Sequence, residues 1–83
     1  MWIFQIDYLA VEARGYSVER HGVMREHREV FVRAETLETA IGAVREWFPT
    51  KYGLAYDFGE VWKIERHRTS EFIDLEVPDA AQE

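Results

Sequence analysis

Three histidines, two serines and sixteen carboxylates are the groups in this 83-residue chain best suited to hold a metal, act as a nucleophile or move a proton. His21, His27 and His67 have Glu19, Glu26 and Glu65 close by in sequence, the donor types a divalent ion takes. Each histidine also has an arginine next to it: Arg20, Arg28, and Arg66 with Arg68. Such cations oppose binding of a further positive charge, so the histidines read as solvated side chains and no metal site is expected. Ser17 and Ser70 lie outside any G-x-S-x-G setting, and Asp57 with Glu60 is the one carboxylate pair placed for acid–base work. A catalytic pocket is hard to build beside so small a core, and the chain reads as a non-enzyme.

Cofactor chemistry is equally unsupported. Gly53 and Gly59 are too far apart for a phosphate-binding loop, and neither G-x-G nor G-K-[ST] occurs. Cysteine is absent, which removes disulfides and thiolate sites and fits a reducing, cytoplasmic compartment. No apolar run approaches the ~20 residues that span a bilayer.

Charge is the more informative property. The net charge is -6, and the excess lies in the second half. From Glu35 onward eleven acids face Arg45, Lys51, Lys63, Arg66 and Arg68, and beyond Arg68 there are five acids and no base. A phosphate backbone requires clustered bases, so direct nucleic-acid binding is disfavoured and a basic protein partner is favoured.

The elements that must carry these charges follow from periodicity. Leu37, Ala40, Ile41, Val44, Trp47 and Phe48 line one face of a helix over 36–48. Thr36 is its N-cap, Glu35 and Glu38 suit the positive end of its dipole, and Pro49 with Gly53 is its expected stop. Trp2 to Val11 begins as an alternating strand whose phase slips near Tyr8 to Ala10, the mark of a bulge or a twist. Arg14 to Arg28 is a polar segment with a turn at Arg20 to Val23, a protruding hairpin or long loop. Glu29 to Ala34 is the second strand. Lys51 to Glu60 is an aromatic, glycine-containing connector, with Tyr56 and Asp57 at its tip. Val61 to Arg68 is a third strand, with Trp62 and Ile64 on the face opposite Val61, Lys63 and Glu65. Thr69-Ser70 turns it into a fourth, Glu71 to Val77.

The expected fold is therefore α+β: a four-stranded antiparallel sheet with one helix packed on one face, in the order ββαββ. It forms one domain over 1–78, followed by a disordered acidic tail over 79–83. The face away from the helix holds Ile3, Gln5, Asp7, Phe31, Arg33, Val61, Lys63, Glu65, Phe72, Asp74 and Glu76. Aromatics among charges make it a contact surface, with Tyr56, Asp57, Glu65, Phe72, Asp74, Glu76 and Asp79 as the partner-binding residues.

The stretch VFVRAETLETAI, Val30 to Ile41, in which a strand ends in Ala and a Thr-capped helix begins, resembles small strand-strand-helix-strand-strand proteins of bacteriophages and mobile elements. An archaeal ribosomal protein family is similar in layout, but its members are basic. The phage resemblance implies an inhibitor of host defence, as the anti-CRISPR proteins are, acting on a CRISPR effector complex or another nucleic-acid-handling assembly. The expected mechanism is competition, with Glu65, Asp74, Glu76 and Asp79 in a basic groove and Tyr56 or Phe72 as anchor. A self-associating homodimer and an RNA-binding module are the alternative readings.

Overall fold

The computed structural model describes residues 1–13 and 25–78. They form β1 (Trp2–Glu12), β2 (Arg25–Ala34), α1 (Leu37–Tyr52), β3 (Tyr56–His67) and β4 (Leu75–Glu76). The fold is α+β, with one four-stranded sheet in the order β3-β1-β2-β4. β1 is its central spine, antiparallel to β2 on one side and to β3 on the other.

Alternation along β1 and β2 builds the core. Phe4, Ile6, Tyr8 and Ala10 face α1 together with Val30, Val32 and Ala34, and all are buried. From the helix come Ala40, Val44 and Phe48, with Ile41 and Trp47 packed at the margin. Burial of each larger side chain contributes about 1.5–3 kcal/mol before the entropy of ordering is charged. Thr36 caps the helix as its sequence predicts: its Oγ1 accepts from the Thr39 N–H at 3.2 Å, and its backbone is extended at φ -128. Thr36→Ala should cost about 1 kcal/mol, and Thr36→Ser much less, as measured by urea unfolding.

Pro49 does not stop the helix. It forgoes one N–H and so one bond to the preceding turn, but the chain continues to Tyr52 and ends at Gly53, whose φ is +63 and whose N–H donates to the Pro49 carbonyl at 2.9 Å. Tertiary contacts hold this last turn. Tyr52 stacks on Phe48 at 4.4 Å, and its hydroxyl meets that of Tyr8 at 2.9 Å.

The phase slip lies on β3, not on β1. β1 pairs with β2 without interruption from Trp2↔Ala34 to Val11↔Arg25, whereas its register with β3 shifts twice, between Asp7 and Tyr8 and between Tyr8 and Ala10. The first shift makes Trp62 an extra residue between Val61 and Lys63. Val61 consequently packs on the helix side, and Trp62 turns to the opposite face, where its ring meets His27. The two exchange the places their alternation assigns them.

β2 begins at Arg25, earlier than expected, while the turn at 20–23 and the arm at 16–19 lie outside the described residues. The connector expected over 51–60 shrinks to Gly53, Leu54 and Ala55, because Lys51 and Tyr52 complete the helix and Tyr56 opens β3.

The last strand departs furthest. β4 comprises two residues, pairs parallel with β2 at Val32↔Leu75 and Arg33↔Glu76, and makes the sheet mixed instead of antiparallel. No hairpin forms at Thr69-Ser70. The chain crosses from the β3 edge to the β2 edge over the face away from the helix, where Arg68, Thr69, Ser70 and Ile73 lie around Ile3 and Arg33. Ile3 is only 6% exposed for that reason. The helix packs more on β2 than on β3, so Leu75 and Val77 reach the core only beside β2. Two backbone bonds fix the junction, Asp74 N–H to the Phe31 carbonyl and Val77 N–H to the Arg33 carbonyl, both at 2.8 Å.

Candidate protein-contact face

The face away from α1 carries the odd-numbered residues of β1 and β2, joined by Trp62, Lys63, Glu65 and His67 of β3. Its centre is acidic. Lys63 Nζ is taken by Glu65 at 3.1 Å, and Arg33 reaches Glu76 at 3.8 Å. Pairing with Glu65 raises the Lys63 pKa above its usual value. His67 Nε2 lies 3.1 Å from Gln5 Oε1 and 3.6 Å from Glu65.

Elsewhere several cations lie over the protein's own aromatics. Arg66 lies over Trp2 at 4.1 Å, Arg45 over Phe58 at 5.5 Å and Lys51 over Trp47 at 5.3 Å. Arg28 is held by Glu26, with an Nη2 contact at 2.6 Å that raises its pKa. Among the described residues Asp7, Glu29, Asp57 and Asp74 have no cation within ion-pair distance.

The seven expected contact residues do not converge. Phe72, Asp74 and Glu76 come together at the β2–β4 edge. Phe72 is 64% exposed with its ring 6.0 Å from that of Phe31, and the Asp74 carboxylate accepts the Phe31 N–H at 2.8 Å. Glu65 stands across the same face on β3. Asp57 pairs with Val11 at the far end of that strand and is exposed. Tyr56 does not join them: it is half-buried on the helix side, 5.7 Å from the Tyr52 ring. Neither residue is at a loop tip, a place that belongs to Leu54, 84% exposed. Asp79 lies outside the described residues.

Two features escape the strand alternation. Trp62 reaches this face because of the bulge, which no residue type announces. Its ring meets His27 edge to face at 5.2 Å. Those residues stand on β3 and β2, the two strands flanking β1, so the rings bridge the central strand. Asp7, on the same face, is 9% exposed, and its Oδ1 has no hydrogen-bond partner. Trp62 and Asp7 both border an open depression of about 560 Å³ lined also by Tyr8, His27, Arg28, Glu29, Lys51 and Tyr52.

Among the described residues no group of three or more His, Asp or Glu side chains is arranged to hold a metal, and no helix is long and apolar enough to cross a membrane. No protein-family model, no curated protein and no solved structure matches the chain.

Proposed function

We propose that this is a non-enzymatic binding protein whose acidic face covers a basic surface on another protein, acting as a competitive inhibitor of a nucleic-acid-handling complex such as a CRISPR effector. The observation that carries the reading is the edge formed by Phe72, Asp74 and Glu76. A large aromatic is left 64% exposed there beside carboxylates on a face that is short of cations. Exposed aromatics rimmed by charge supply the anchor and the steering that protein contacts use. A partner groove that ordinarily takes nucleic acid presents the complementary arginines and lysines.

Tagged protein retained on resin should capture from bacterial lysate a partner that survives nuclease treatment. Phe72→Ala combined with Glu76→Lys should weaken that complex by about 30-fold or more, the scale of a lost hot spot, while the melting temperature changes little. Capture that disappears with nuclease, or that the double variant leaves intact, refutes this reading.

Self-association is the second reading, and the free edge of β3 favours it. Among the described residues that strand bonds only to β1, and it spans Tyr56–His67. Sedimentation showing one monomeric mass across a hundredfold range of concentration would remove it.

A further inference from the structure

We propose that the depression bordered by Asp7, Glu29 and Trp62 is a seat for one arginine side chain of the partner protein. The inference rests on the contact function above and identifies the group that the centre of the face receives.

Asp7 is the starting point. A carboxylate on the middle strand of a sheet, nine-tenths buried and with one oxygen unpaired, costs stability unless something occupies that oxygen. The cation nearest by register is Lys63, directly across from Asp7, yet its ammonium lies on Glu65. Glu29, the other cross-strand neighbour, adds a second negative charge and receives only the Gln5 amide, at 3.2 Å. Among the described residues neither carboxylate has a paired cation, and the two cations that share the depression are engaged elsewhere, Arg28 by Glu26 and Lys51 over Trp47, so a further positive group is called for.

The walls specify which one. Trp62 is 51% exposed, so one side of its indole is open to a ligand, and the depression gives access to Asp7 from that side. A guanidinium is flat enough to lie on an indole while its N–H groups point at a carboxylate, and it sheds water more readily than an ammonium does. A lysine would meet the charge without using the ring. A phosphate or other anion would be repelled by Asp7 and Glu29, and Arg28 and Lys51 in the same lining are already held by Glu26 and Trp47.

The test uses blocked arginine amide, blocked lysine amide and blocked citrulline amide as probes, titrated into the ¹⁵N-labelled full chain. Arginine should produce saturable shifts at the Asp7 amide and the Trp62 indole N–H. Lysine should bind several-fold more weakly, and citrulline should give no saturation. Asp7→Asn should weaken arginine binding by about tenfold or more, the scale of a charge-assisted hydrogen bond. Trp62→Ala, at an exposed position, should weaken it without lowering the melting temperature, so the test survives even if Asp7→Asn folds poorly. Equal shifts with lysine, or arginine binding that neither variant alters, overturns the proposal. The two readings fail separately. A captured partner indifferent to Asp7→Asn and Trp62→Ala removes the arginine seat alone, whereas arginine bound at Asp7 with no protein captured removes the inhibitor reading alone.

Discussion

Tyr8→Ala is expected to lower the free energy of unfolding by about 3–5 kcal/mol, enough to unfold much of a marginally stable domain. Tyr8 is 1% exposed on the central strand and is the meeting point of the aromatic cluster. Its ring stacks on Phe58 at 5.4 Å and meets Phe48 edge to face at 6.0 Å. Those contacts join β1, α1 and β3, so the cavity left by truncation would open at the junction of all three. Tyr8→Phe keeps the ring and loses only the 2.9 Å bond to Tyr52, and should cost about 1 kcal/mol. Urea unfolding of the two variants separates the ring from the hydroxyl. Burial, and then the bond to Tyr52, push the Tyr8 hydroxyl pKa well above its usual 10.0. An unfolded tyrosine ionises near pH 10 while the folded one stays protonated. Stability therefore falls as pH rises past 10, and Tyr8→Phe should remove this residue's share of the slope.

Gly59→Val is expected to cost about 2–3 kcal/mol, and the reason is proximity, not backbone angle. A Cβ at Gly59 would stand 2.9 Å from the Leu9 carbonyl oxygen, 3.0 Å from Val11 Cγ2 and 3.1 Å from Leu9 Cβ. Backbone cannot step aside as a side-chain tip can, so β3 would have to move away from β1 where the second register shift occurs. Thermal melts should show a large drop for Gly59→Val. Gly42→Ala is the control, since a Cβ there meets nothing within 4 Å and alanine favours the helix.

The contrast between these positions shows where the sequence is readable. The helix is legible because its apolar spacing and its cap at Thr36 agree, and the inward set Val30, Val32 and Ala34 follows from simple alternation. In the last segment Leu75 and Val77 go inward while Phe72, Asp74 and Glu76 do not, as alternation requires, but Ile73, of the same phase as Leu75, departs: it is 40% exposed beside Ile3 and Arg33 on the face away from the helix. The partner of that segment was not legible. Which edge accepts a short strand depends on the side to which the helix extends the core, a property of the assembled sheet. Pro49 misleads for a similar reason, since local stereochemistry argues for a stop and the Tyr8–Tyr52 contact, made across the fold, overrides it. For the candidate site, charge and alternation suffice to place Phe72, Asp74, Glu76 and Glu65 away from the helix, which is where they stand. Asp57, which the glycine-containing sequence around it assigns to a loop tip, stands in β3. Trp62 was lost because a bulge reverses facing without leaving a trace in composition.

The central position of β1 also governs how the molecule can be made. Its pairing with β2 is available once the chain reaches Ala34, but its other edge waits for β3, which is complete only at His67. During synthesis at about 5–20 residues per second, that edge stays unpaired for on the order of seconds after β1 is made. Trp2, Phe4, Ile6 and Tyr8 are without their full cover for part of that interval. Fragments that end before β3 should therefore leave that edge of β1 unpaired and aggregate more readily than the full chain.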